Sequence, residues 1–216
     1  MRSMAVIFDL DGTLLDSREA FVRQNMALLS RAGVSSPSRS MGEELLGFQL
    51  EELLARLNMP GKDIVEEIDR EYVETFMKKY ASPFPGVLGC LKRLRSKAKV
   101  AIATNTSKLV LGEALSAFGL DQCVDVAVSA AEVGKQKPEP ELLLKAAHLL
   151  GVEPSRCVYV GDTLGDVLAA KRAGMISFAV LQGGISKEED MLAGKPDALF
   201  WSVVDTCSSM LFSERG

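Results

Sequence analysis

The sequence predicts an α/β chain: a doubly wound parallel sheet with helices on both faces, interrupted after its first strand by an all-helical insert. Three observations carry this. Apolar runs alternate with amphipathic segments from residue 87 onward, the order that yields a parallel sheet. One short apolar run, Ala5-Val6-Ile7-Phe8, stands alone near the start and reads as a strand buried on both faces. Between them lies a long block with helical spacing and no strand pattern.

The elements follow in order. Asp16 and Glu19 have the spacing of a capping box, and Phe21, Met26, Leu28, Leu29 and Ala32 recur at helical intervals up to Gly33. A second helix is expected over Glu43 to Leu57, interrupted at Gly47, and a third from Lys62 to Tyr80. Ser82-Pro83-Phe84-Pro85-Gly86 then punctuates the chain, because two prolines and a glycine end regular structure. Helices at 87–96, 109–118, 140–150 and 164–173 alternate with strands at 100–103, 124–128, 157–160 and 176–180. A last strand is expected at 198–201, followed by a helix capped by Ser202. This gives a core of residues 1–15 and 82–216 and a helical unit of residues 16–81, placed just after the first strand, where a lid would be inserted.

The 216-residue length accommodates a core with an insert. A net charge of −4 gives no reason to expect a nucleic-acid partner. No apolar run approaches the ~20 residues that cross a bilayer, and no basic-then-apolar leader opens the chain. Cys90, Cys123, Cys157 and Cys207 are far apart in sequence, so reduced thiols and a cytoplasmic location are expected. A monomer or a homodimer fits equally well.

The chemistry begins where the first strand ends. Asp9 and Asp11 are followed by Gly12 and Thr13. Open α/β sheets place their ligands at the carboxyl ends of strands. Two acids so close repel unless a cation joins them, and such a pair suits Mg²⁺, which takes one or two carboxylates plus water and phosphate oxygens. An ordinary acidic Asp-Gly turn is the plainer alternative.

Comparable groups follow later strands. Thr104-Asn105-Thr106-Ser107 leads into a helix, as either an anion site or a simple N-cap from Thr106 or Ser107. Lys135 and Lys137 precede Pro138, and either can serve as a local cation. Asp162 and Asp166 repeat the opening pattern of a buried strand ending in acids. Asp166 also suits a first helical turn on dipole grounds alone. The only histidine, His148, lies among Ala and Leu in a helix, which leaves a histidine or serine-hydrolase mechanism without a base.

Taken together, Phe8-Asp9-Leu10-Asp11-Gly12-Thr13-Leu14-Leu15-Asp16-Ser17, Thr104, Lys137-Pro138-Glu139-Pro140 and Gly161-Asp162 through Asp166 resemble the four motifs of the haloacid dehalogenase (HAD) superfamily. The closest similarity is to its phosphoglycolate phosphatase and β-phosphoglucomutase-like branch. The resemblance implies a Rossmann-like core with a helical cap and a Mg²⁺-dependent phosphatase acting on a small phosphorylated metabolite. It implies Asp9 as nucleophile, with Asp11 as acid and then base. It places the metal on Asp9, the Asp11 main-chain carbonyl and Asp162, with Asp166 as a supporting or metal-facing acid. Thr104, Asn105 and Lys137 would contact phosphate, with Lys108 a weaker candidate. An acid at position 11 separates phosphate-ester enzymes from the dehalogenase branch. Mutase relatives carry Gly-x-x-Arg early in the cap. Here the matching stretch is Gly47-Phe48-Gln49-Leu50, so Gly47, Phe48 and Gln49 become candidates for substrate choice. A sugar phosphomutase and a non-catalytic binding protein of the same fold are the alternatives. Phosphoglycolate, sugar phosphates and nucleoside monophosphates all stay open as substrates.

Overall fold

The computed structural model describes residues 4–59 and 61–212. Residues 1–3 and 213–216, assigned from sequence to the ends of the core, and residue 60 of the insert lie outside the described residues. The chain divides into two compact units, residues 1–16 with 83–216, and residues 17–82.

The first unit is built on a six-stranded sheet. Its strands are β1 (Ala5–Phe8), β4 (Lys99–Thr104), β5 (Val126–Ser129), β6 (Cys157–Gly161), β7 (Ile176–Val180) and β8 (Ala198–Phe200), in the order β5-β4-β1-β6-β7-β8. Every pairing in it is parallel, so all six carboxyl ends share one edge. β1 lies between β4 and β6, with Phe8 level with Ile102 and Val160. Two short strands, β2 (Leu15–Asp16) and β3 (Ser82–Pro83), form a separate pair. The helices α6 (Val87–Arg95), α7 (Lys108–Ala117), α8 (Glu141–Leu150), α9 (Leu164–Arg172), α10 (Glu188–Ala193) and α11 (Val203–Phe212) follow the strands.

The period of two along β1 decides where its residues go. Ala5 and Ile7 join Ala101, Ala103, Leu142, Leu143, Ala146, Cys157 and Tyr159 in one fully enclosed cluster. Val6 and Phe8, on the opposite face, are equally buried. A strand covered on both sides cannot carry polar residues within its length, so the first acid falls where the strand stops.

The second unit contains α1 (Arg18–Arg31), α2 (Arg39–Glu44), α3 (Leu50–Arg56), α4 (Lys62–Glu71) and α5 (Lys78–Tyr80), with a π-helical stretch Tyr72–Met77 joining the last two. Leu28, Leu53, Leu54 and Ile68 form its core. Phe21 stacks on Tyr72 with ring centroids 4.9 Å apart.

Several local expectations are corrected. The capping box at Asp16 is not formed: Ser17 is the N-cap and supplies no side-chain bond, while Glu19 is drawn instead to Arg23 and Arg39. The break expected at Gly47 is present, the chain turning there at φ +87°, but the first piece, α2, starts at Arg39 rather than Glu43. Strand β5 starts at Val126 because the Asp125 carboxylate takes the Val100 N–H at 2.9 Å, a donor that a strand carbonyl would otherwise use. Helix α10 was missed; its first turn is wholly acidic, Glu188, Glu189 and Asp190, a signal the dipole rule makes readable. Cys90 and Cys207, far apart in sequence, lie side by side with Cα atoms 6.1 Å apart. Packing of α6 on α11 brings together two residues 117 positions apart, which spacing alone cannot show. Cys123 and Cys157 are free and buried.

Candidate active site

Four side chains from three loops meet at the carboxyl edge of the sheet. Asp9 follows β1 and is anchored by its own N–H, which donates to the Val160 carbonyl at 2.9 Å. Asp162 follows β6 directly, and Asp166 lies in the first turn of α9. Carboxylate oxygens of Asp9, Asp162 and Asp166 lie within 4.8 Å of one another, all buried. Lys137, from the loop between β5 and α8, sends its ammonium into the same cluster, 2.7 Å from Asp9 Oδ1 and 2.7 Å from Asp166 Oδ1. Its side chain is 5% exposed.

Three negative groups and one cation in an enclosed space do not balance. Burial, reinforced by Asp166 and Asp11, pushes Asp9 up to about 7 despite the opposing pull of Lys137. Burial also raises Asp162 well above the carboxylate range, with the charges of Asp166 and Asp9 adding to it. Lys137 is held above the ordinary lysine value: burial works against its charge, but Asp166 and Asp9 outweigh it. The cluster therefore favours a further positive charge.

The donor set fits a hard divalent cation. Asp162 Oδ1 accepts from the Thr13 hydroxyl at 2.9 Å, while Asp162 Oδ2 is buried with no hydrogen-bond partner. An orphaned carboxylate oxygen of this kind is costly unless a ligand uses it. The surrounding backbone is drawn close. A Cβ on Gly12, which adopts φ +75°, would overlap the Asp162 carboxylate. A Cβ on Gly183, in the loop after β7, would overlap the same oxygen and stand 2.5 Å from the Gly12 carbonyl. Among the described residues, Asp9, Asp162 and Asp166 are the acids grouped closely enough to hold such an ion.

Asp166 lies at the start of α9 and beside Lys137 at once. Its Oδ2 accepts from the Thr163 N–H at 2.9 Å and the Thr163 hydroxyl at 2.6 Å, closing a capping box at the start of α9. Its Oδ1 accepts from Lys137 and lies 3.0 Å from the Tyr159 hydroxyl. With three donors on its two oxygens and the Tyr159 hydroxyl beside them, Asp166 is a support for Lys137 more than a free ligand.

Asp11 stands apart from this cluster. Its Oδ2 accepts from the Thr106 hydroxyl at 2.6 Å, and the Thr106 carbonyl in turn accepts from Ser129 at 2.6 Å. Ser107, not Thr106, caps α7. Thr104 is buried at the end of β4, and its hydroxyl accepts from the Thr106 N–H at 3.2 Å. Asn105 is turned toward the lysine loop: its Oδ1 accepts from the Lys137 N–H at 2.8 Å and its Nδ2 donates to the Lys137 carbonyl at 3.4 Å. Lys135 is exposed and pairs with Glu141, which leaves Lys137 as the cation of the site. Lys108 is exposed at the first position of α7 and His148 is exposed on α8. In the helical unit, Gly47 turns the chain, Phe48 lies 4.3 Å beneath the Arg56 guanidinium, and Gln49 precedes α3 without a side-chain cap.

Sequence reasoning passed over Tyr159, Thr106 as an Asp11 partner, and Gly183. A tyrosine within a run of aliphatic strand residues was the available sign for the first, since a buried phenol seeks a hydrogen-bond partner.

The chain is 35% identical over 204 residues to a phosphoglycolate phosphatase of Xanthomonas campestris pv. campestris, with 90% of each chain covered. It is 30% identical over 206 residues to the pyrophosphatase PpaX of Halalkalibacterium halodurans, with 95% of each covered. Among solved structures it superposes on CbbY from Rhodobacter sphaeroides in complex with phosphate. The TM-score is 0.79 at 25% identity, covering 94% of this chain and 96% of that one. The model of the haloacid dehalogenase-like hydrolases matches residues 6–180, a span that takes in both acidic strand ends and the lysine loop, and the chain belongs to that family.

Proposed function

We propose that this protein is a phosphatase that hydrolyses a small phosphate monoester through an aspartyl-phosphate on Asp9. The observation that carries the reading is the enclosed trio of Asp9, Lys137 and Asp162: an acid beside a buried ammonium, and a second acid with an oxygen left for a cation. The relatives named as phosphoglycolate phosphatase and pyrophosphatase support it.

In this reading Asp9 attacks phosphorus and the ester P–O bond breaks. Asp11, oriented by Thr106, gives its proton to the leaving alkoxide. Asp11 then takes a proton from water, the water oxygen attacks phosphorus, and the P–O bond to Asp9 breaks to release inorganic phosphate. Lys137 and Thr104 neutralise and orient the phosphoryl oxygens. Mg²⁺ held by Asp9, the Asp11 carbonyl and Asp162 would neutralise charge on the transferring group. The helical unit serves as the cap, with Gly47, Phe48 and Gln49 as its specificity residues.

The test is Mg²⁺-dependent release of p-nitrophenol from p-nitrophenyl phosphate. Wild type should turn over, and Asp9→Asn should be inactive while melting as wild type does; substantial activity in Asp9→Asn overturns the assignment. A panel containing 2-phosphoglycolate, pyrophosphate and sugar phosphates then ranks substrates. Interconversion of sugar phosphates without phosphate release would favour a mutase.

A further inference from the structure

We infer that Tyr159 is a positioning residue for the reaction, fixing the Lys137 ammonium on the Asp9 side of the site. The inference rests on the phosphatase reading above.

Tyr159 is placed by β6, its ring packed in the cluster beneath the sheet with Ile7, Ala103 and Leu142. Only its hydroxyl reaches the acidic group. There the phenol oxygen accepts from Lys137 Nζ at 2.9 Å. Its single proton has two acceptors at 3.0 Å, the Ala103 carbonyl and Asp166 Oδ1. The residue is 1% exposed, and Nζ lies 5.6 Å from the ring centroid.

An ammonium carries three protons and can rotate about the end of a flexible stem. Here two of its directions are taken by fixed acceptors, Tyr159 Oη and Asp166 Oδ1. Both acceptors are themselves tied down: Tyr159 by β6 and the Ala103 carbonyl, Asp166 by the Thr163 cap. Asp9 Oδ1 stands 2.7 Å from the same ammonium as an ion pair, with no hydrogen bond of its own. Asp166 supplies charge, but a carboxylate alone constrains the ammonium at one point only. The neutral phenol adds the second point without adding negative charge to a cluster that already has too much. Lacking the hydroxyl, the ammonium can swing about its Asp166 contact and away from the reacting acid.

The experiment compares wild type with Tyr159→Phe, which removes one oxygen and keeps the ring. With p-nitrophenyl phosphate and saturating Mg²⁺, kcat should fall about tenfold to a hundredfold, the range of a lost hydrogen bond to a charged group. KM should change less than kcat, and a melting curve of the variant separates this from a loss of folded protein, which would lower the apparent kcat in the same way. A second arm measures binding of inorganic phosphate with Mg²⁺ in wild type, Tyr159→Phe, Lys137→Met and the double variant. Tyr159→Phe should weaken phosphate in the lysine background and have no further effect in the methionine background, since the hydroxyl acts through the amine. Unchanged kcat in Tyr159→Phe, or an equal loss in both backgrounds, overturns the inference while leaving the phosphatase reading intact. A wild type with neither turnover nor phosphate binding overturns both.

Discussion

Asp162 gives one carboxylate oxygen to the Thr13 hydroxyl at 2.9 Å and keeps the other buried without a donor. The two residues are 149 positions apart, so this single bond fixes the loop after β6 to the loop after β1. It also aims the unpaired oxygen, because a carboxylate held at Oδ1 cannot turn Oδ2 away.

A divalent cation should therefore bind and stabilise the folded chain. Mg²⁺ at about one hundred times its dissociation constant should add roughly 2.7 kcal/mol, about 5–10 °C in melting temperature for a chain of this size. Asp162→Asn should abolish that increment. Differential scanning calorimetry with and without Mg²⁺ reads the result, and an equal increment in the variant would remove Asp162 from the ion site.

Gly183 should be a determinant of metal affinity although it offers no ligand. A Cβ there overlaps Asp162 Oδ2 and crowds the Gly12 carbonyl. Gly183→Ala should raise the Mg²⁺ concentration for half-maximal activity about tenfold, the usual scale for disturbing groups around a metal ligand. A Mg²⁺ titration of activity checks this.

Asn105 should matter through the backbone of Lys137. Its amide spans the Lys137 N–H and carbonyl, while Arg172 holds the next carbonyl, of Pro138, at 3.0 Å. Asn105→Ala should lower kcat/KM about tenfold to a hundredfold by letting the lysine drift. Steady-state kinetics beside a melting curve separates this from unfolding.

Away from the site, Asp125 should make stability depend on acid. Burial opposes its charge, but the Val100 N–H at 2.9 Å and Arg95 at 3.1 Å outweigh burial and hold the carboxyl below its usual range. A folded-state value below the unfolded one means stability that is present above the unfolded value and lost as pH falls through the folded one. With its side chain 21% exposed, the expected contribution is about 1 kcal/mol at neutral pH after discounting for solvent. Asp125→Asn should lose that amount at pH ~7, and the difference should close below pH ~4. Urea denaturation across that range measures it.

The sequence made the acids easiest to find. Asp9 and Asp162 each end a run of buried apolar residues, and that contrast is local, so it survives without knowledge of the fold. The parallel sheet was legible for the same reason: each strand and each helix carries its own period. Asp166 was legible as a first-turn helix acid or as a site acid, and the structure places it in the first turn of α9, capping it, with Lys137 on its other oxygen. What could not be read depends on register between distant segments. Asn105 meets Lys137 across 32 residues, Tyr159 meets it across 22, and Cys90 meets Cys207 across 117. Nothing near any of these residues announces its partner. Thr106 shows the limit differently: a hydroxyl beside a helix start is normally a cap, and only the position of Asp11 reveals its other use.

The double duty of Asp166 has a consequence for anyone altering this protein. The carboxylate that caps α9 also holds the lysine, so on the proposed mechanism helix nucleation and turnover draw on one side chain. Selection for heat resistance at Thr163 or Asp166 should then drag catalytic rate along with it, and selection for rate should drag heat resistance. The two traits are mechanically linked at one residue, and separating them requires stabilising α9 somewhere else.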